Sequence, residues 1–293
     1  MPETQMTVQP SCYLIGAQKA GTTYLASLMD QSRDICVSDP KEPHFFSSHY
    51  DRGFDWYGTV FSDTSKRLVD ASTTYSFIRP AESHPAYMGE HVGLSPDVIS
   101  RMKEASPDAK IIYLLRHPVD RTYSGFLHRA RFSETQSSLI EYYKENPMLR
   151  LASCYSAQIE RYLEQFSKEQ ILCLRANDMY ADPLGLVNRC LSFLDLAPLI
   201  AFDPKETNQH KSYVTGKLYR TLNRIAQISP IKSAIEQRVG NSDLYKQAKA
   251  RMKETLTRPA PELTESEREF LNEEFRDEVG RTHALTGIDF PIP

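Results

Sequence analysis

The chain has 293 residues, a quarter of them charged, and a formal charge of −3 at pH 7. That near balance, with a pI of about 6.3, excludes general nucleic-acid binding and confines basic surface to a local anion site. Its length suits one large α/β domain with an ample core. Five cysteines (Cys12, Cys36, Cys154, Cys173 and Cys190) have neither CxxC spacing nor an even count, so buried free thiols in a reducing compartment are expected. Residues 1–10 are polar and lack the basic start and apolar core of a signal peptide. They read as a flexible lead into a single domain over 11–293. No apolar run approaches the roughly 18 residues of a membrane span, and the expectation is a cytoplasmic protein with no stable membrane insertion.

In chain order, short apolar runs at 12–16, 67–71, 110–116 and 170–174 read as buried strands separated by helical patterns. That alternation predicts a P-loop-type three-layer α/β fold, its central sheet mainly parallel and flanked by helices. Helices are expected over 22–31, from the Ser95-Pro96-Asp97 cap to about 107, over 119–128, over 155–166 and from Asp182-Pro183 onward. From about residue 202 the chain turns more polar, with no obvious strand. Helices are expected there over 218–228 and 230–239, the second between Ser229-Pro230 and Gly240. Thr264-x-x-Glu267 is a capping box before a last helix ending near Thr286.

Three segments carry chemistry. The first, Ser11 to Tyr24, keeps the glycine spacing of a nucleotide-triphosphate loop, G-x-x-x-x-G-K-[ST], in Gly16 and Gly21. Thr22 stands where that motif has lysine, Thr23 keeps the hydroxyl, and Lys19 sits inside the loop. A strand running into this loop and a helix leaving it make an anion cradle of backbone amides and helix dipole. The displaced lysine points away from the β/γ-phosphates of ATP. The second segment, Lys110 to Ser124, places Arg116 at the carboxyl end of a buried strand, where open α/β sheets bind ligands. With Ser124 on the following helix it could form a second anion site; a strand-end salt bridge is the plainer reading of Arg116 alone. Arg121 reads as a solvated helix residue or a carboxylate partner. The third segment, Lys41-Glu-Pro-His-Phe-Phe46, reads as a loop because of Pro40 and Pro43. Glu42 could be a general base there, and His44 a second acid/base or a packed histidine. The aromatic residues Phe45, Phe46, Phe54, Trp56 and Tyr57 read first as packing.

Taken together, I-G-x-Q-K-x-G-T-T, K-E-x-H-F-F with W-Y downstream, and I-x-x-L-R-x-P-V-x-R-x-x-S resemble the sulfotransferases that use 3′-phosphoadenosine 5′-phosphosulfate (PAPS). The likeness leans to the bacterial and heparan-sulfate-type branch and fades after Leu196. The resemblance implies that Gln18, Lys19, Ala20, Gly21, Thr22 and Thr23 hold the 5′-phosphosulfate, and that Lys19 contacts the oxygen between phosphorus and sulfur. It also implies that Arg116 and Ser124 hold the 3′-phosphate and that Glu42 is the acceptor base with His44 beside it. The product would be 3′,5′-ADP, with no metal required. Lys211 and Lys217 are candidate nucleotide contacts before the C-terminal helices. The acceptor would be a small molecule or glycan: a hydroxyl, less readily an amine, of a carbohydrate, lipid or secondary metabolite. A P-loop kinase or nucleotide hydrolase is the alternative. Against it stand the displaced lysine and Asp70, a strand-end acid followed by Ala-Ser-Thr-Thr rather than by a metal-binding context.

Overall fold

A computed structural model describes residues 8–87, 94, 97–130, 138–203, 213–215, 257–259 and 262–291. The first apolar run forms β1 (Cys12–Gly16), buried at every position, and leads through the glycine loop into α1 (Thr22–Met29). Next come β2 (Ile35–Val37), a strand too short to stand out in the sequence, two short helices α2 (Phe45–Ser48) and α3 (Gly53–Gly58), and β3 (Arg67–Asp70). The helix α4 (Asp97–Ala105), β4 (Lys110–Leu115) and α5 (Pro118–Ala130) follow. Then come α6 (Leu139–Glu145), α7 (Pro147–Leu151), α8 (Tyr155–Leu163), β5 (Ile171–Arg175), α9 (Ala176–Ala181) and α10 (Pro183–Phe193). Asp182 caps α10 by accepting from the Gly185 amide at 2.8 Å, with Pro183 at the first helical position where its missing N–H costs nothing.

The five strands lie in the order β2-β3-β1-β4-β5, and every pairing is parallel. Crossover helices cover both faces, which is why the strands read as continuous apolar runs rather than alternating ones. Ile111, Ile112, Leu114 and Leu115 of β4 and Leu14 and Ile15 of β1 are at most 1 % exposed. All parallel strands end at the same edge, so the loops after β1, β3 and β4 meet there. The β1–β4 register shifts between Leu14 and Gly16, the point at which the strand turns into the glycine loop. Val8 packs against this core and Pro10 is buried. All five cysteines are free, and four are buried. Among the described residues no helix is long and apolar enough to cross a membrane.

The C-terminal part departs from the expectation of no strand: β6 (Tyr213–Thr215) and β7 (Thr257–Pro259) pair antiparallel as a separate two-stranded sheet. Three-residue strands over forty residues apart leave no periodic signal. The expected helices over 218–228 and 230–239, the Ser95-Pro96 and Ser229-Pro230 caps, Gly240, Lys211 and Lys217 lie outside the described residues. The final helix α11 (Glu265–Thr286) has the expected capping box, Thr264 with Glu267, and stops at Gly287. Its buried residues Leu271, Phe275, Glu278 and Thr282 share one face. Glu278 docks that face on α8, accepting from the Ser156 amide and hydroxyl at 2.7 Å each, while Thr282 donates to it at 2.7 Å. Burial pushes the Glu278 carboxyl above its ordinary pKa, against the pull of these donors.

The reading of Arg121 as solvated or carboxylate-paired is corrected. Arg121 is fully buried. Its Nε donates to Ser153 Oγ, and Nη2 donates to the Leu149 carbonyl and to Thr122 Oγ1. The α6–α7 hairpin closes over the inner face of α5, and hydroxyl and carbonyl oxygens stand in for a carboxylate. Neither was visible from one helix's pattern.

Candidate active site

The glycine loop wraps tightly because its backbone occupies conformations that side chains resist. Gly16 has φ 151° and Gly21 φ 100°, and a Cβ at either would collide with a neighbour: Ser76 Oγ at 2.6 Å for Gly16 and Met179 Cε at 2.5 Å for Gly21. Lys19 itself is left-handed at φ 73°, a conformation costing roughly 1–2 kcal/mol for a residue with a Cβ. Such a cost persists only where the surroundings over-determine it. Arg116 supplies part of that constraint: its Nη1 donates to the Lys19 carbonyl at 3.2 Å, across from the end of β4. The Arg116 carbonyl in turn accepts from Tyr155 at 2.8 Å. Gly21 caps α1 without a side-chain bond, so the amides of Thr22 and Thr23 stand in the first turn, where a helix has no acceptors of its own. Thr22 is buried, Thr23 exposed, Gln18 and Lys19 half-buried, and Ala20 faces inward. The loop thus runs from β1 into α1 as the sequence predicts, and Arg116 braces it from the neighbouring strand. Ser124 is half-buried on α5.

The Glu42 side of the site joins the loop after β2, which carries Lys41, Glu42 and His44, to the turn after β3, which carries Thr73 and Thr74. Glu42 Oε1 accepts from Lys41 Nζ at 2.9 Å, and Oε2 accepts from Thr73 Oγ1 at 2.8 Å and from the Thr73 amide at 3.3 Å. Partial burial raises the Glu42 pKa, but the Lys41 charge, these hydrogen bonds and nearby His44 outweigh it and hold the carboxyl below its ordinary value. His44 Nε2 lies 3.8 Å from Glu42 Oε2, and Nδ1 lies 2.9 Å from Thr74 Oγ1. The expectation of a loop through Phe46 is corrected from Phe45 onward: Phe45–Ser48 close a helical turn. The prolines restrict the chain only as far as His44, which turns it at φ 52°. Phe45 and Phe46 then bury completely and anchor the turn; Phe45 stacks on Tyr57 at 4.2 Å. The aromatic segment packs, as read. Trp56 is half-buried beneath the Arg52 guanidinium, 3.9 Å from its ring centroid.

Two residues that sequence reasoning missed join the halves. Lys41 Nζ donates both to Glu42 and to Thr22 Oγ1 at 3.1 Å, so one ammonium spans the carboxylate and the first turn of α1. Its position directly before Glu42 was the available signal. Thr73 follows β3 in the Ser72-Thr-Thr run that served only to discount Asp70. That discount stands on firmer ground in three dimensions. Asp70 is fully buried; Oδ1 accepts from the Ser72 amide and hydroxyl, and Oδ2 from Tyr57 and Tyr75. Both oxygens are taken, leaving no lone pair aimed at the loop for a magnesium ion.

Known proteins resemble this chain in sequence and in fold. The sulfotransferase domain family matches residues 9–282. The mouse bifunctional heparan sulfate N-deacetylase/N-sulfotransferase 4 is 27% identical over 227 residues, covering 67% of this chain and 24% of that protein. Human heparan sulfate glucosamine 3-O-sulfotransferase 3B1 is 26% identical over 203 residues, covering 65% of this chain and 47% of that protein. The chain therefore spans about a quarter of the first relative and about half of the second. A sulfotransferase crystal structure from Alicyclobacillus acidocaldarius shares the fold, with a TM-score of 0.64 at 23% identity over 96% of this chain and 97% of that one.

Proposed function

The chain belongs to the sulfotransferase domain family, and from that premise we propose that it moves the sulfonyl group of PAPS to a hydroxyl of a glycan or small-molecule acceptor. The observation that carries the reading is Lys41, whose ammonium ties the Glu42 carboxylate to the anion-binding start of α1. A base held beside an anion cradle is what in-line group transfer needs, because positioning and electrostatics supply most of its rate.

The donor would bring an activated phosphosulfate and a 3′-phosphate; the residues present fit those two anions. Gln18 to Thr23 offer a cradle whose turn a Cβ at Gly16 or Gly21 would disrupt, by colliding with Ser76 Oγ or Met179 Cε. Lys19, turned by its left-handed backbone, meets the charge that grows on the leaving phosphate. Arg116 and Ser124 take the 3′-phosphate, bidentate contact being the guanidinium's strength. Glu42 accepts the acceptor's proton as its oxygen bonds to sulfur and the sulfur–oxygen bond to phosphate breaks, leaving 3′,5′-ADP. Being held below its ordinary pKa, Glu42 is ionised at neutral pH and therefore ready, though a weaker base than an unpaired glutamate. That trade suits a step in which the proton leaves late. His44 orients or shares that proton. The relatives' names include both an N- and a 3-O-sulfotransferase; the near-balanced charge of this chain favours a short acceptor over a long polyanion. Residues 11–293 act as one cytoplasmic domain in this reading.

The test is binding followed by turnover. Isothermal calorimetry should show 3′,5′-ADP binding without magnesium, and an acceptor screen with labelled PAPS should yield product heavier by one sulfonyl group. Magnesium-dependent ATP binding with no affinity for 3′,5′-ADP would instead establish the kinase or hydrolase reading.

A further inference from the structure

Asp70 touches neither of the groups assigned to the reaction, yet both hang from it. A fully buried carboxylate is expensive unless every lone pair is used. Here Oδ1 accepts from Ser72 Oγ at 2.6 Å and the Ser72 amide at 3.1 Å, and Oδ2 accepts from Tyr57 and Tyr75 hydroxyls at 2.7 Å each. Burial pushes the Asp70 carboxyl above its ordinary pKa, against the pull of these four donors, and each of its two oxygens serves two of them. The partners then bind onward. Ser72 Oγ accepts the His44 amide at 3.0 Å, and Tyr75 OH accepts the Phe46 amide at 3.3 Å. These two bonds grip the backbone on both sides of the left-handed turn at His44. The 3₁₀ turn Thr73–Ser76 starts directly after Ser72. It delivers Thr73 to Glu42, Thr74 to His44 and Ser76 against Gly16 of the anion loop.

We infer that Asp70 is the positioning residue of the acceptor base: through Ser72, Tyr57 and Tyr75 it fixes where Glu42 and His44 stand relative to the anion cradle. This rests on Glu42 and His44 facing the acceptor. Asparagine is nearly isosteric but offers one acceptor where two oxygens each serve two donors. In Asp70→Asn one pair of hydroxyl or amide donors must therefore reverse or go unpaired. Ser72→Ala cuts the single link from Asp70 to the His44 amide while leaving both tyrosines in place.

The experiment uses ¹⁵N-histidine NMR of the full chain with and without 3′,5′-ADP, the His44 signal being assigned by its loss in His44→Gln. In folded Asp70→Asn and Ser72→Ala the His44 ring nitrogens should shift, with its bond to Thr74 weakened, while 3′,5′-ADP affinity stays at the wild-type value. Transfer to an acceptor found by the screen should fall about 100-fold in kcat for Asp70→Asn, the scale of a misplacement near 1 Å, with KM for PAPS unchanged. Unmoved His44 signals in folded Ser72→Ala overturn the inference even if Asp70→Asn does not fold. So does a loss of 3′,5′-ADP affinity in step with kcat, which would mark general loosening. A wild-type chain that binds no 3′,5′-ADP would sink the donor assignment, and the His44 shifts would still decide the role of Asp70.

Discussion

Around the ends of β2 and β3 the chain answers its own charges: Glu42 takes Lys41 and Thr73, and Asp70 takes two tyrosines and a serine. After β1 the chain turns through left-handed backbone at Lys19 into the first turn of α1, the stretch that the proposed function gives to an anion. One side is hydrogen-bonded within the chain; the other, in the proposed function, is completed by a ligand. The difference follows from what each must do. A proton acceptor works through fixed geometry, so its surroundings must be rigid. An anion site works by offering donors that only the ligand satisfies.

Changes confined to one side should separate these roles. The largest effect is expected from Glu42→Gln, which keeps size and removes basicity. Turnover should fall about 10²–10⁴-fold with 3′,5′-ADP affinity retained, measured by initial rates and calorimetry. Arg116→Ala strikes the other side: loss of a charged hydrogen-bond donor should weaken 3′,5′-ADP binding by about 10–100-fold. It also frees the Lys19 carbonyl.

Lys41→Met tests the bridge through pH. The folded Glu42 pKa lies below its ordinary value, so the acid limb of the rate profile should lie below the ordinary glutamate range. The stability that the pairing contributes is present above that range and lost as pH falls through the folded pKa. Without the Lys41 charge the acid limb should move up. Smallest is a contrast at one position: Lys19→Gly should be more stable than Lys19→Ala by about 1 kcal/mol, since only glycine accepts φ 73° freely. Both should lose transfer, and a thermal melt with an activity assay reads the pair.

Much of this was legible in the chain. The strands β1, β3, β4 and β5, the displaced Lys19, Glu42 and Arg116 came from local runs and short spacings, though β5, read as buried, lies at the sheet edge and is buried only at Leu174. What escaped was contact between segments. Lys41 meets Thr22 across 19 residues and Thr73 meets Glu42 across 31, and no pattern within either segment records such a meeting. Arg121 was misread for the same reason: its partners Ser153 and Leu149 come from a hairpin about thirty residues on. Short β2 and the β6–β7 pair had too few residues for a period to show.

Arg121 carries a consequence for ionic strength. It is a guanidinium sealed from water with neutral oxygens for partners. It sits on the helix that bears Ser124, three residues away and so on a neighbouring face. Mobile ions cannot reach it, and its field is screened far less than that of a surface lysine. If the nucleotide's 3′-phosphate rests by Ser124, part of the attraction it feels is therefore built into the protein interior. Its affinity should decline with added salt less steeply than the number of nearby cations suggests, because a charge that never held a counterion has none to release.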